Sequence, residues 1–335
     1  MKQIGYRFIL LSVSLFLLTA FSGCNTNNIE LPPGWQVIRP PETVLSIVLQ
    51  DDIVWAGCKD GVYKIDRITG TVVEKLEIDR PLTYVKALLV DRSGNLVIGH
   101  FNGLTIYNGS SYHTYTDNDL LPDNRINALM EDTGGRLWAG TWGGAVMIEG
   151  DRSTTTTSAD GLADDMVNVI LQDDRGDMWF GSYTAPRGGV SLYRNRTWQI
   201  FSTENGLPHN NVTSLLQDNG GNIWAGTGLI ERGGAVKFVN VGDSWKIDRT
   251  LDSEDGLAGN KVRSIFQDVD GVFWFGSEYD GLARWDGKEW TILTTADGLS
   301  SNEIMCMLQD QDGTLWMGTA DGITRISRQA LLALP

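Results

Sequence analysis

Short apolar runs, some alternating with polar residues, recur along the chain and are separated by punctuation rich in Gly and Asp. Val212-Thr-Ser-Leu-Leu216 is typical. It predicts a half-buried strand, and the Asp218-Asn-Gly-Gly221 that follows predicts a tight turn. The Asp carboxylate can accept from backbone two residues on, and the glycine can take positive φ. The same Asp and Gly spacing returns at Asp91/Gly94, Asp132/Gly135, Asp173/Gly176, Asp268/Gly271 and Asp310/Gly313. A second strand follows each turn and carries a tryptophan, at Trp55, Trp138, Trp179, Trp224, Trp274 and Trp316, with Val97 in its place in the second copy. A third strand begins after another glycine, as in Gly281-Leu-Ala-Arg-Trp285. A fourth often holds an aromatic, as at Trp198, Trp245 and Trp290.

The glycine two residues after the tryptophan position fixes the period. It recurs at 57, 99, 140, 181, 226, 276 and 318, in steps of 42, 41, 41, 45, 50 and 42 residues. Four strands in a period of roughly 40–45 residues predict an all-β, seven-bladed β-propeller with four-stranded antiparallel blades. Asp-Gly-Leu at 160–162, 255–257 and 297–299, and Asn205-Gly-Leu, turn the chain into the next blade. The last copy lacks a fourth strand, while Gly34-Trp35-Gln-Val-Ile38 stands alone before the first and matches Thr197-Trp198-Gln-Ile-Phe201. The N-terminal segment, about 34–39, is therefore expected to complete the last blade and close the ring, which removes open sheet edges. The tryptophans are expected between adjacent blades. The Asn or Asp at 124, 165, 210, 260 and 302 is expected to cap backbone before each inner strand.

The first residues break the pattern. Lys2 and Arg7 precede an apolar stretch from Phe8 to Ala20, as in a secretory leader. Phe21-Ser22-Gly23-Cys24 resembles a bacterial lipobox, with Phe where Leu is commoner. That resemblance implies cleavage before Cys24 and acylation of its new N-terminus, so residues 1–23 read as a lipoprotein signal peptide, 24–33 as an acylated tether and 34–335 as the propeller. Buried acyl chains contribute about 0.8 kcal/mol per CH₂, and two or more hold stably. The membrane is then a partner through Cys24, on the extracytoplasmic side. An ordinary cleaved leader with an incidental cysteine is the alternative.

The net charge of -15, with no basic cluster, argues against nucleic acid as a partner. Cys58 and Cys306 fall in the first and last copies, which are neighbours in a closed ring, so a disulfide is open to them, but two small unpaired thiols are the preferred reading. His100, His113 and His209 lack metal-ligand spacing. Asp268-Val-Asp270-Gly271 looks like a fragment of a calcium loop but lacks a closing bidentate acid. No metal or cofactor is expected.

The unit DGL-x-x-N-x-V-x-S-L-x-Q-D-x-x-G-x-x-W-x-G-T-x-x-G-G-L resembles the two-component regulator propeller repeat, over roughly residues 43–326. The resemblance implies the extracytoplasmic sensing part of hybrid histidine kinases, often carbohydrate-responsive. Those kinases usually carry two propellers, a further β-domain, a membrane span and a kinase. The chain has one propeller and then reaches Pro335, so kinase activity is not carried over.

Loop lengths point to a site. The glycines that bracket the loop between second and third strands are 4 apart in blades one, two, three and seven, 5 apart in blade six, and 8 apart at Gly181/Gly189 and Gly226/Gly234. Blades four and five thus carry insertions, Tyr183-Thr-Ala-Pro-Arg187 and Gly228-Leu-Ile-Glu231-Arg232, and insertions on one face of a repeat array often mark the binding face. Trp142, Glu278 and Tyr279 lie in neighbouring loops of that face. Trp142, Tyr183, Arg187, Glu231, Arg232, Glu278 and Tyr279 are therefore the candidate ligand-binding residues. Their aromatic faces and planar donors suit a glycan or other small molecule. The competing reading pairs the arginines with nearby acids and leaves the aromatics as a roof over the channel. In function, the sequence is expected to specify a non-catalytic recognition or sensor propeller for a ligand or a protein partner. A passive assembly scaffold and a metal-dependent propeller lyase with its base at the channel mouth are the alternatives.

Overall fold

Each glycine-punctuated unit folds as one four-stranded antiparallel blade, and the computed structural model contains seven of them. It describes residues 30–183 and 186–334. The leader, Cys24 and all of the tether before Glu30 lie outside the described residues.

The inner strands are Val44–Gln50, Ala87–Val90, Ile126–Glu131, Val167–Gln172, Val212–Gln217, Val262–Gln267 and Ile304–Gln309. Each packs against the inner strand of the blade on either side, which sets them around a central channel. The seventh blade is made of Ile304–Gln309, Leu315–Thr319, Gly322–Ile326 and the N-terminal strand Trp35–Ile38. Trp35 stands opposite Ile326 and Ile38 opposite Ile323, so the closure expected from the sequence is present. Arg67 reinforces the seam on the opposite face. It is buried, bridges to Asp52 of its own blade at 2.8 Å, and pairs across the seam with Asp312.

The core is divided among the interfaces between blades. Trp179 of blade four packs with Val212, Ile223 and Phe238 of blade five, and Trp316 of blade seven packs with Val44, Val54 and Ile65 of blade one. The tryptophans therefore pack between blades, as expected. The repeat's Asp holds each one in place. Asp268 is buried, and its Oδ1 accepts from the backbone N–H of Asp270 and Val272 while its Oδ2 accepts from Trp274 Nε1 at 2.9 Å. The same arrangement joins Trp138 to Asp132, Trp179 to Asp173, Trp224 to Asp218 and Trp316 to Asp310. These carboxylates fix the turn and the tryptophan together, which is turn chemistry of the kind the sequence suggested.

Two further repeat residues join neighbouring blades. The Gln that ends an inner strand accepts from the turn of the preceding blade, as Gln217 does from Asp174 N–H at 2.9 Å and Gln309 from Val269 N–H at 2.9 Å. The repeat glycine lets the next inner strand approach closely. A Cβ on Gly181 would sit 2.6 Å from Cγ1 of both Val169 and Val212. The Asn and Asp at 124, 165, 210, 260 and 302 each accept from a backbone N–H seven residues earlier, at 2.6–2.9 Å, which is the capping role expected of them.

Candidate functional site

The inner strands are irregular at one place. Their pairing with the second strands skips one residue, a β-bulge that re-aims the extra side chain. The skipped residues are Leu45, Asn127, Asn168, Thr213, Arg263 and Met305. Lys86 takes this place in blade two, immediately before the paired Ala87. All but Leu45 and Met305 are polar, and all of them line the channel, a cavity of about 660 Å³. Several also reach the next blade. Asn127 Nδ2 donates to Val167 O at 3.2 Å, Asn168 Nδ2 to Val212 O at 3.0 Å, and Thr213 Oγ1 to Val262 O.

Around the mouth the lining divides into two arcs. One is aromatic. The Tyr84 and Phe101 rings stack at 4.9 Å, and Phe101 meets Trp142 edge-on at 6.1 Å. Tyr84, Phe101 and Tyr183 all line the channel. Tyr84 is 45% exposed and holds φ at +50°, a left-handed conformation unusual for a bulky side chain. Its N–H donates to Lys59 O at 2.9 Å, which helps fix that geometry.

The other arc is charged. Lys261 pairs with Glu278, Arg263 lies 3.5 Å from Glu278, and Arg263 Nη2 donates to Glu303 at 2.9 Å. Burial raises the Glu278 carboxyl, but hydrogen bonds from Lys261 and Tyr279 and the nearby Arg263 outweigh it, so the net shift is downward. Lys86 enters from blade two, and its Nζ donates to Asn127 Oδ1 at 3.1 Å. Burial, assisted by Arg263, pushes the Lys86 ammonium down to about 8.

The residues singled out in the sequence are only partly brought together. Tyr183 lines the channel, and Glu278 joins the charged arc with Tyr279, whose hydroxyl donates to it at 2.6 Å. Trp142 sits behind the wall. Arg125 covers one face of its ring at 4.0 Å, and its Nε1 donates to the channel residue Asn127 at 3.4 Å. Arg187 is exposed and pairs with Asp164 at 3.3 Å, as the competing reading of the arginines anticipated. Glu231 and Arg232 are exposed at the end of blade five. The two insertions differ in kind. The one in blade five lengthens a hairpin, with Gly228 paired to Gly233 and Leu229 to Arg232, and its tip residue Ile230 is 67% exposed. In blade four the second strand ends at Ser182 and the third begins at Gly189, and residues 184 and 185 between them are not described.

Sequence reasoning missed Lys86, Asn127, Arg263 and the Tyr84–Phe101 pair. The signal was available: these are positions left blank in the repeat, so they differ from copy to copy between uniform neighbours. The histidines form no common centre. His100 is fully buried, its Nε2 2.9 Å from Thr105 Oγ1, and burial followed by Arg80 pushes it down to about 4. His209 accepts at Nδ1 from Asn211 N–H at 3.0 Å. Cys58 and Cys306 are unpaired thiols. Burial raises both, Cys306 to about 12.

Five stretches match the family model "Two component regulator propeller": residues 120–143, 161–184, 206–228, 256–279 and 298–321. Over those stretches the chain is similar to two-component regulator propeller repeats. Each matched stretch begins in the turn between blades and takes in the inner strand and most or all of the second strand, so the repeat supplies the framework around the mouth. A comparison with curated proteins gives no significant match. Among solved structures, the extracellular domain of a B. thetaiotaomicron protein assigned as a hybrid two-component system has a TM-score of 0.77 at 20% identity, over 91% of this chain. The match spans 42% of that chain, so this propeller accounts for less than half of it. Virginiamycin B lyase from Staphylococcus aureus has a TM-score of 0.67 at 13% identity, over 88% of this chain and 98% of its own. PorZ, a surface component of the Porphyromonas gingivalis type-IX secretion system, has 0.66 at 16%, over 86% and 47%. At these identities the likeness is one of fold.

Proposed function

We propose that the chain is a non-catalytic recognition propeller outside the cytoplasm, held to a membrane through Cys24, which takes its ligand at the channel mouth. One observation carries this reading. Residues uniform among the repeats build the blades, whereas the positions that vary assemble one aromatic arc facing one charged arc across the mouth. Stacked aromatic faces beside charged donors suit a ring-bearing polar ligand such as a glycan. The repeat family and the likeness to an extracellular sensor domain support the same reading. The buried Ser214 Oγ, on the channel wall without a hydrogen-bond partner among the described residues, supports it too. Trp142 acts by buttressing Phe101, and Glu278 with Tyr279 holds the charged arc. Arg187, Glu231 and Arg232 form an outer rim.

The test is a thermal-shift screen of the chain against glycans and small metabolites. A ligand at 100 times its Kd raises stability by about 2.7 kcal/mol. Phe101→Ala should abolish the shift and Trp142→Ala should weaken it, while a shift retained in Phe101→Ala would reject the site.

A protein partner is the second reading. It is favoured by the lengthened hairpin of blade five, whose tip exposes Leu229 and Ile230. A stable partner lost on Ile230→Asp, with the glycan screen silent, would select it. The lyase reading needs a base and a metal converging at the mouth. His100 is buried, with Nε2 against Thr105 and Nδ1 accepting from Asn102 N–H, and has no free edge for that role.

A further inference from the structure

We infer that the ligand of this mouth is an acidic sugar, its carboxylate or sulfate seated against Lys86 and its ring on the Tyr84–Phe101 pair. The inference rests on the recognition reading above and narrows its chemistry.

The charged side chains lining the channel are Lys59, Lys86, Arg263 and Glu303. Arg263 is engaged by Glu303 at 2.9 Å and by Glu278 at 3.5 Å, and Lys261 is engaged by Glu278. Neither Lys86 nor Lys59 has a carboxylate within ion-pair distance among the described residues. The channel is thus cationic inside a chain whose net charge is -15, so composition does not explain it.

Lys86 is the informative residue. It stands immediately before the paired inner strand, at the place the bulge residues take in the other blades, and lines the channel, where its partner is the neutral Asn127 Oδ1. Lys86 is half-buried, and a cation drawn out of water without a counter-charge is unfavourable. Residues in such a state cluster where a ligand completes them. Lys86 and the two rings belong to the same blade, with Tyr84 two residues before it. An anion at Lys86 therefore brings an attached ring within reach of the aromatic pair. A neutral sugar would leave the ammonium unmatched.

The groups facing Lys86 are Arg263 across the channel, Lys59 from blade one and, beyond Arg263, Glu303 and Glu278. Arg263 and Lys59 strengthen the attraction for an anion. The two carboxylates, already held by Arg263 and Lys261, weaken it.

The experiment titrates the full chain with glucuronate and galacturonate beside glucose and galactose, following Lys86 and the aromatic side chains by NMR. The uronates should bind about tenfold or more tighter than the neutral sugars and raise the Lys86 ammonium from its depressed value. Lys86→Met should remove the preference and Lys86→Arg should retain it, with thermal melts confirming that both variants fold. If the neutral sugars shift the aromatic resonances as strongly as the uronates, the anion inference falls and the recognition site stands. If neither class shifts Lys86 or the rings, both fall.

Discussion

At the scale of single residues, the repeat and the site obey different chemistry. Asp268 is uniform among the copies because one carboxylate serves two backbone donors and one indole. Removing it would leave all three donors without their acceptor, at about 1–3 kcal/mol for each buried one. Lys86 has no such framework role, and its burial disfavours the folded state. Below about pH 8 the ammonium is charged in both folded and unfolded chain, and the folded chain carries the whole desolvation penalty. Above that, the folded chain releases the proton while the unfolded lysine, with its ordinary value of 10.5, keeps it, so the penalty fades. Lys86→Met should therefore raise Tm most below about pH 8, with the gain shrinking towards pH 10.5. Melting curves of the two proteins across that range check this, and a Lys86→Met protein that melts lower than wild type at neutral pH would show the ammonium to be a framework group.

At the scale of elements, closure and insertion depend on pairing. The strand Trp35–Ile38 joins the first part of the propeller to its last blade, and Ile38 is buried beneath it with Trp316 and Ile323. Removing residues 34–39 would expose that cluster and reopen a sheet edge. We expect a loss of roughly 3–5 kcal/mol from the buried side chains alone, read as a lowered denaturant midpoint. An unchanged midpoint would contradict the closure. This element was legible in advance because Gly34-Trp35-Gln-Val-Ile38 repeats the wording of other outer strands. The insertions were less legible. Gly181/Gly189 and Gly226/Gly234 have equal spacing, yet in blade five Gly228 and Gly233 pair across the chain and extend the ladder, whereas the described pairing in blade four ends at Ser182 and Gly189. Spacing alone does not reveal which residues pair.

At the scale of the whole molecule, seven similar blades give uniform walls, so specificity has to enter at positions the framework leaves free. That explains what the sequence revealed and what it hid. Gly, Asp, Trp and Gln announce themselves by recurrence because each makes the same contact in most blades, the Asp to an indole in five and the Gln to the preceding turn in four. Arg263, Asn127 and Phe101 make contacts found once, and in a repeat motif they read as blanks. The insertions drew attention to blades four and five, whereas the aromatic pair belongs to blade two, with Tyr84 just before its inner strand and Phe101 in one of the four shortest loops.

Recognition at this mouth is open to one decisive experiment. Hydrogen exchange of the chain, with and without the tightest ligand from the glycan screen, tests it most directly. Exchange should slow at the mouth segments around Tyr84–Ala87, Phe101–Leu104 and Ile126–Ala128, with the Asp-x-x-Gly turns of the opposite face unchanged. Protection confined to those turns, or to the outer strands, would contradict it.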